Sequence, residues 1–312
     1  MYDEVEDARS LEKKLLERHE GDKLDDFFKG EVCKTSGGTC YKIEDSLKFK
    51  IKCIGKNKAQ KAILEDLKLL HGIGEAKETN LKSKGYQTIE DLVNHPSYGK
   101  RAGEFLDMLA ESPLECITQS FPVSHPKMLY SSPYTDVEDF LFFDIETLGL
   151  KDYPVILIGI ARVIDDEVKV TQYLATDLNE EKEMISNFFS NLDDKTVFVS
   201  FNGRSFDLPF IKNRAYYHRL PRNNLNQQHL DLLYFSRRTW GGHLPNCRLQ
   251  TIEKHLFNME RHEDVPSSQV PAFYMKYRKT GNIGPLIPII EHNKEDVITL
   301  ARILSKLQEE MV

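Results

Sequence analysis

The chain has 312 residues, 40% of them hydrophobic and 29% charged, and a formal net charge of −7. That length suggests two or three domains with ample core, and the charge excludes a uniformly basic, histone-like binder without excluding a local basic face. No run approaches the roughly 18 uninterrupted apolar residues of a membrane span. The polar start MYDEVEDARSLEKK carries no apolar signal-peptide stretch, and the five scattered cysteines form no CxxC pair. The expectation is a cytoplasmic globular protein without a disulfide framework or zinc finger.

In chain order, residues 9–20 place Leu11, Leu15 and Leu16 on one face of a short helix. Residues 30–44 read as a hairpin turning at Ser36-Gly37-Gly38, where glycine accepts the positive φ such a turn needs. Residues 67–96 read as a helix, a Gly-Ile-Gly hairpin, a second helix and a stop at Gly85, in a stretch (48–101) with twelve basic and six acidic residues. This segment resembles the helix-hairpin-helix module. Gly72 and Gly74 would let the backbone approach a phosphate, N–H groups at the start of the next helix would donate to it, and Lys77 and Lys82 would add charge. Such contacts bring affinity without sequence preference. Residues 112–136 carry four prolines (113, 122, 126, 133) and read as a linker. From residue 139 three closely spaced apolar runs are followed by alternating helical and strand patterns, which means an α/β sheet of mixed strand direction. The predicted division is residues 1–57 (helix and hairpin), 58–111 (helix-hairpin-helix region), 112–136 (linker) and 137–312 (α/β domain).

Three short motifs in the last segment carry the chemistry. In LFFDIETLGL, Asp144 and Glu146 lie two apart on a strand and so project from one face. Two carboxylates held together repel unless a cation neutralises them, and oxygen-only ligands suit Mg²⁺ or Mn²⁺. In VFVSFNGRSFDLPF, a strand ends at Asn202-Gly203 and a helix begins at Asp207. An N-cap role would explain the aspartate alone but not Asn202 at the strand tip or Phe206 beside it. In HNKEDVITLARIL, His292 and Asp296 stand one turn apart on a helix whose apolar side is Val297, Leu300, Ala301 and Leu304.

Together and in this order, the motifs resemble the DEDD family of 3′–5′ exonucleases, the DnaQ-like branch of the ribonuclease H-like fold. The likeness covers roughly residues 138–310 and is nearest to the YprB-type predicted nucleases, related to the proofreading domain of family B DNA polymerases. It implies a five-stranded mixed sheet with flanking helices, preceded by the smaller, mainly helical N-terminal region. It implies that Asp144, Glu146, Asp207 and Asp296 hold two Mg²⁺ or Mn²⁺ ions and that His292 orients or deprotonates the attacking water. The chain departs from the family at one point. Its histidine sits four residues before the last aspartate, the spacing of the tyrosine-bearing branch, whereas the histidine branch uses five. The likeness further places Asn202 and Phe206 against the terminal nucleotide, Thr147 and Leu150 against its sugar and base, and Asp231 as a supporting residue on the fifth strand.

The implied activity is metal-dependent 3′–5′ hydrolysis of single-stranded or frayed DNA. Residues 207–282 hold twelve basic against six acidic side chains, with Tyr234, Trp240, Tyr274 and Tyr277 near the basic ones. That mixture suits single-stranded nucleic acid. A catalytically idle nucleic-acid-binding module and a structure-selective endonuclease are the alternatives. The helix-hairpin-helix favours DNA over RNA.

Overall fold

The computed structural model describes residues 2–35, 38–221, 225 and 227–311; Ser36 and Gly37 of the predicted turn and Arg222 of the basic sector lie outside them. The chain runs through α1 (Tyr2–Arg18), α2 (Leu24–Phe27), β1 (Gly30–Thr35), β2 (Gly38–Lys48), α3 (Lys56–Leu64), α4 (Glu75–Ser83), α5 (Gly99–Glu111) and α6 (Pro113–Ser120). It continues through β3 (Phe140–Thr147), β4 (Val155–Ile164), β5 (Glu167–Leu174), α7 (Glu181–Ser190), β6 (Val197–Ser200), α8 (Asp207–Tyr217) and β7 (His229–Asp231). The last helices are α9 (Leu232–Trp240), α10 (Leu249–Phe257), α11 (Val270–Thr280) and α12 (Leu286–Glu310). Two compact units result: Met1–Ile51 with Val137–Leu304, and Lys52–Asp136 with Ser305–Val312. Among the described residues, no helix is long and apolar enough to cross a membrane.

The first unit is built on a seven-stranded sheet of order β1-β2-β5-β4-β3-β6-β7. Its last five strands in that order, β5-β4-β3-β6-β7, are the expected mixed sheet. β5, β4 and β3 pair antiparallel, and β3, β6 and β7 pair parallel. The N-terminal hairpin, expected in a separate segment, extends this sheet instead. Tyr41–Lys48 of β2 pair antiparallel with Leu174–Glu167 of β5. An edge strand presents unpaired N–H and C=O groups, and the hairpin satisfies those of β5.

Alternation along β3 sorts its residues. Leu141, Phe143 and Ile145 enter a core with Met184, Ile185 and Phe188 of α7 and Ile211 of α8. Asp144 and Glu146 are thereby left to the opposite face, the one α12 covers. On that face Leu157 and Leu174 pack with Phe273, Tyr274, Ile289 and Ile290. The approach of α12 to β4 depends on Gly159, where a Cβ would lie 2.1 Å from the Asn293 side-chain oxygen.

In the second unit, residues 112–136 are not a linker. They form α6 and a 3-10 helix (Pro126–Tyr134), and bury Cys116, Ile117, Met128 and Leu129. Pro113 and Pro126 each stand in a first helical turn, where the missing N–H has no intrahelical partner to lose. Two of the four prolines thus mark helix starts in an ordered segment.

Candidate active site

The turn after β6 delivers the second motif. Asn202 takes a left-handed backbone (φ 68°), and its N–H donates to the Asp231 carboxylate at 2.7 Å. The same carboxylate accepts the Arg204 N–H at 3.1 Å and caps α9 through the Leu233 N–H at 3.2 Å. Asp231 thus ties the turn to the start of α9. Gly203 permits the tight passage, since a Cβ there would lie 2.4 Å from Ser200 Oγ and 3.2 Å from Asp207 Oδ2. Asp207 then opens α8, and its Oδ1 accepts the Ile145 N–H at 3.2 Å, beyond the last β3–β6 pair, Phe142 with Val199. A register shift between Glu146 and Thr147 ends the regular β3–β4 ladder, and such irregularities re-aim neighbouring side chains.

From α12, Asn293 reaches Asp144. Its Nδ2 donates to Asp144 Oδ2 at 2.9 Å, while its Oδ1 accepts from Gln172 at 2.9 Å. His292 Nε2 lies 3.9 Å from Glu146 Oε1 and 3.6 Å from Asp296 Oδ2. Its other nitrogen, Nδ1, lies 2.6 Å from Asp264 Oδ1. That contact fixes the ring and aims Nε2 at the carboxylates. Arg261 donates to Asp296 and, at 2.8 Å, to the buried Glu253, which also accepts from Thr299 at 2.6 Å.

The structure therefore brings Asp144, Glu146, Asp207, Asp296 and His292 within electrostatic reach of one another. Burial, followed by the charges of Asp296, Asp207 and Glu146, pushes the Asp144 carboxyl well above the usual range. Burial first, with Asp296, Asp207 and Asp264 adding to it and His292 partly offsetting it, pushes Glu146 up to about 8. Burial, opposed by backbone N–H donors, pushes Asp207 up to about 7. Asp296 is raised by burial, although His292 and Arg261 pull against it. Burial alone would lower His292, but the Asp264 hydrogen bond and the charges of Asp296 and Glu146 outweigh it and carry the imidazole to about 9. An unperturbed histidine is mostly neutral at physiological pH. Here the surrounding carboxylates favour the charged ring.

Among the described residues, no three His, Cys, Asp or Glu side chains are grouped so as to hold a metal ion. The carboxylates are turned to protein donors: Asp144 to Asn293, Asp207 to the β3 backbone, Asp296 to Arg261. The donor set nonetheless fits a hard divalent cation. It is made of oxygens, it is largely removed from water, and its charges resist joint ionisation. Arg261 supplies one positive charge where a cation would sit against Asp296.

The predicted substrate contacts fall into three groups. Leu150, 86% exposed, and Phe206 line one open cleft. Thr147 turns to the Gly149 carbonyl at 2.8 Å, and Asn202 is exposed at the strand tip. Gly72, Gly74 and Lys77 belong to the second unit. There Gly72 takes φ 93°, Gly74 precedes α4, and Lys77 folds back to donate to the Gly72 carbonyl at 2.8 Å. Sequence reasoning missed Asp264, Arg261, Glu253 and Asn293. Only Asn293, beside His292 in the third motif, had a local signal; the others come from irregular or separate segments.

Residues 141–308 match the RNase_H superfamily. The chain belongs to that superfamily, which supports nuclease chemistry. It is 35% identical over 166 residues to the uncharacterized protein YprB of Bacillus subtilis (strain 168), a match taking in 51% of this chain and 39% of that protein. It is also similar to the family B DNA polymerase of the hyperthermophilic archaeon Pyrobaculum calidifontis, at 18% identity and a TM-score of 0.44, over 54% of this chain and 24% of that one.

Proposed function

We propose that the chain is a divalent-metal-dependent 3′–5′ exonuclease that hydrolyses phosphodiester bonds of nucleic acid, single-stranded DNA in the first place. One observation carries the reading. Four carboxylates from three distant segments lie within electrostatic reach of one another with their ionisation suppressed, beside a histidine held by a fifth. A purely structural cluster would be expected to replace some of these charges, because unpaired buried charge costs several kcal/mol.

In this reading Asp144, Glu146, Asp207 and Asp296 hold two Mg²⁺ or Mn²⁺ ions. Bound there, such ions supply Lewis-acid activation of water and neutralise charge developing on the scissile phosphate. The chain's own residues set the stage. Asn293 fixes the Asp144 carboxylate, the Ile145 N–H fixes Asp207, and Asp264 aims His292 Nε2 toward the space between Glu146 and Asp296, where the charged ring would orient the attacking water. Leu150 and Phe206 meet the terminal nucleotide with Thr147 and Asn202 beside it. On the second unit, Gly72, Gly74 and Lys77 contact the phosphate backbone and favour DNA.

The test uses a 3′-labelled single strand and a covalently closed single-stranded circle, each with Mn²⁺. The proposal expects immediate release of labelled mononucleotide, loss of that release in Asp144→Asn by orders of magnitude, and an intact circle. Cutting of the circle would make the protein an endonuclease. Equal release by both proteins would leave a binding module.

A further inference from the structure

An open cleft of about 930 Å³, lined by Leu150 and Phe206, extends along α8 past these two positions assigned to the terminal nucleotide. Leu150 and Phe206, the latter at the start of α8, line it together with Tyr216 and Tyr217 at the other end of the helix. The two tyrosines are 70% and 68% exposed. Adjacent large aromatics with so much of their faces exposed beside a cleft offer surface on which a ligand can stack.

Tyr217 is braced. The Arg214 guanidinium lies 4.4 Å from its ring centroid, and the His218 ring meets it edge-on at 4.9 Å. Arg214 is itself pinned by the buried Glu181 through bonds of 2.7 and 2.6 Å, and Glu181 also holds His218 at 2.7 Å. The ring is therefore backed by a cation whose charge is already matched, so it is fixed at little further entropic cost. Around it, Lys151 and Arg219 are exposed cations on the cleft wall, against the single acid Asp152 among the described lining residues.

We propose that Tyr216 and Tyr217, flanked by Lys151 and Arg219, form a stacking platform for the single-stranded segment that lies upstream of the 3′-terminal nucleotide. The proposal rests on the exonuclease reading of the neighbouring site and names its substrate as a strand, not a free nucleotide. Exposed rings accept any base face, and nearby cations take the phosphates, which is how sequence-tolerant single-strand binding works. Eleven residues of helix separate Phe206 from Tyr217, a rise of about 16 Å. At 3.4 Å per nucleotide of a stacked strand that distance holds about five nucleotides. Strands of two or three nucleotides fall short of the platform.

The experiment measures binding of a fluorescein-labelled 20-nucleotide oligothymidylate to the full chain in EDTA, by anisotropy, beside hydrolysis of a thymidine dinucleotide and of the 20-mer in Mn²⁺. Compared with the parent, Tyr216→Ala/Tyr217→Ala should weaken single-strand binding about 10- to 100-fold. Tyr216→Phe/Tyr217→Phe should bind like the parent, and affinity for blunt duplex and dinucleotide hydrolysis should stay unchanged in both. Equal single-strand affinity in the alanine variant overturns the platform, as does an equal loss for duplex, or a loss in the phenylalanine variant. Tyrosine-dependent strand binding without any hydrolysis would keep the platform and defeat the exonuclease reading; hydrolysis with tyrosine-independent binding would do the reverse.

Discussion

Replacing Glu146 by glutamine isolates the charge that the site keeps from water. The carboxyl ionises near 4.5 in the unfolded chain and near 8 in the folded one. Below about pH 4.5 both states hold the proton and the group costs nothing. Between 4.5 and 8 the unfolded state ionises first, so the folded protein loses stability as pH rises, and above 8 the full cost applies. At 1.36 kcal/mol per pH unit the difference comes to about 5 kcal/mol. Glutamine has nearly the same shape and no proton to lose. In EDTA at pH 8.5 the variant should therefore outlast the parent by as much as about 10 °C in melting temperature, and at pH 5 the gap should shrink to about 1 kcal/mol. Thermal unfolding followed by circular dichroism at the two pH values measures it. A variant less stable than the parent at pH 8.5, or a gap that ignores pH, refutes the reasoning.

Three further outcomes follow from the same geometry. Gly159→Ala should push Asn293 off Asp144 and cost about 1–3 kcal/mol, the usual range for overpacking, read as a lower denaturant midpoint. Arg261→Gln should cost about 3–5 kcal/mol by leaving the buried Glu253 without its cation, read by chemical denaturation in EDTA. Asp264→Asn should drop the His292 pKa from about 9 toward its ordinary 6.5, visible by imidazole NMR. His292 contributes stability that is complete below about pH 6.5 and lost through about 9, so this variant should lose that contribution at lower pH, and its nuclease rate should fall by up to about 10²-fold.

Much of the fold was legible because its signals are periodic. The alternation in LFFDIET gave both the strand and the shared face of Asp144 and Glu146, and the helical spacing in HNKEDVITL put His292 and Asp296 together. Asp231 was singled out only through the family likeness; that its carboxylate caps α9 and ties the Asn202 turn at once shows only in the fold. The hairpin's place in the sheet was not legible, because strand pairing between β2 and β5 depends on a free edge about 120 residues away and leaves no mark in either run. The 112–136 stretch misled because proline reads as a breaker, although in a first helical turn it is a starter. Asp264 and Arg261 lie in an irregular loop after α10, where no period announces which side chains turn inward. The histidine's charge state was equally hidden, since it is set by carboxylates that only the fold assembles.

The central claim is that four acidic side chains far apart in sequence together bind hard divalent cations, and direct counting of bound Mn²⁺ by electron paramagnetic resonance tests it. The account predicts two ions per chain for the parent at saturation and fewer for Asp144→Asn and for Asp296→Asn, with all proteins folded by circular dichroism. No saturable Mn²⁺ in the parent, or the same occupancy in every variant, would contradict it.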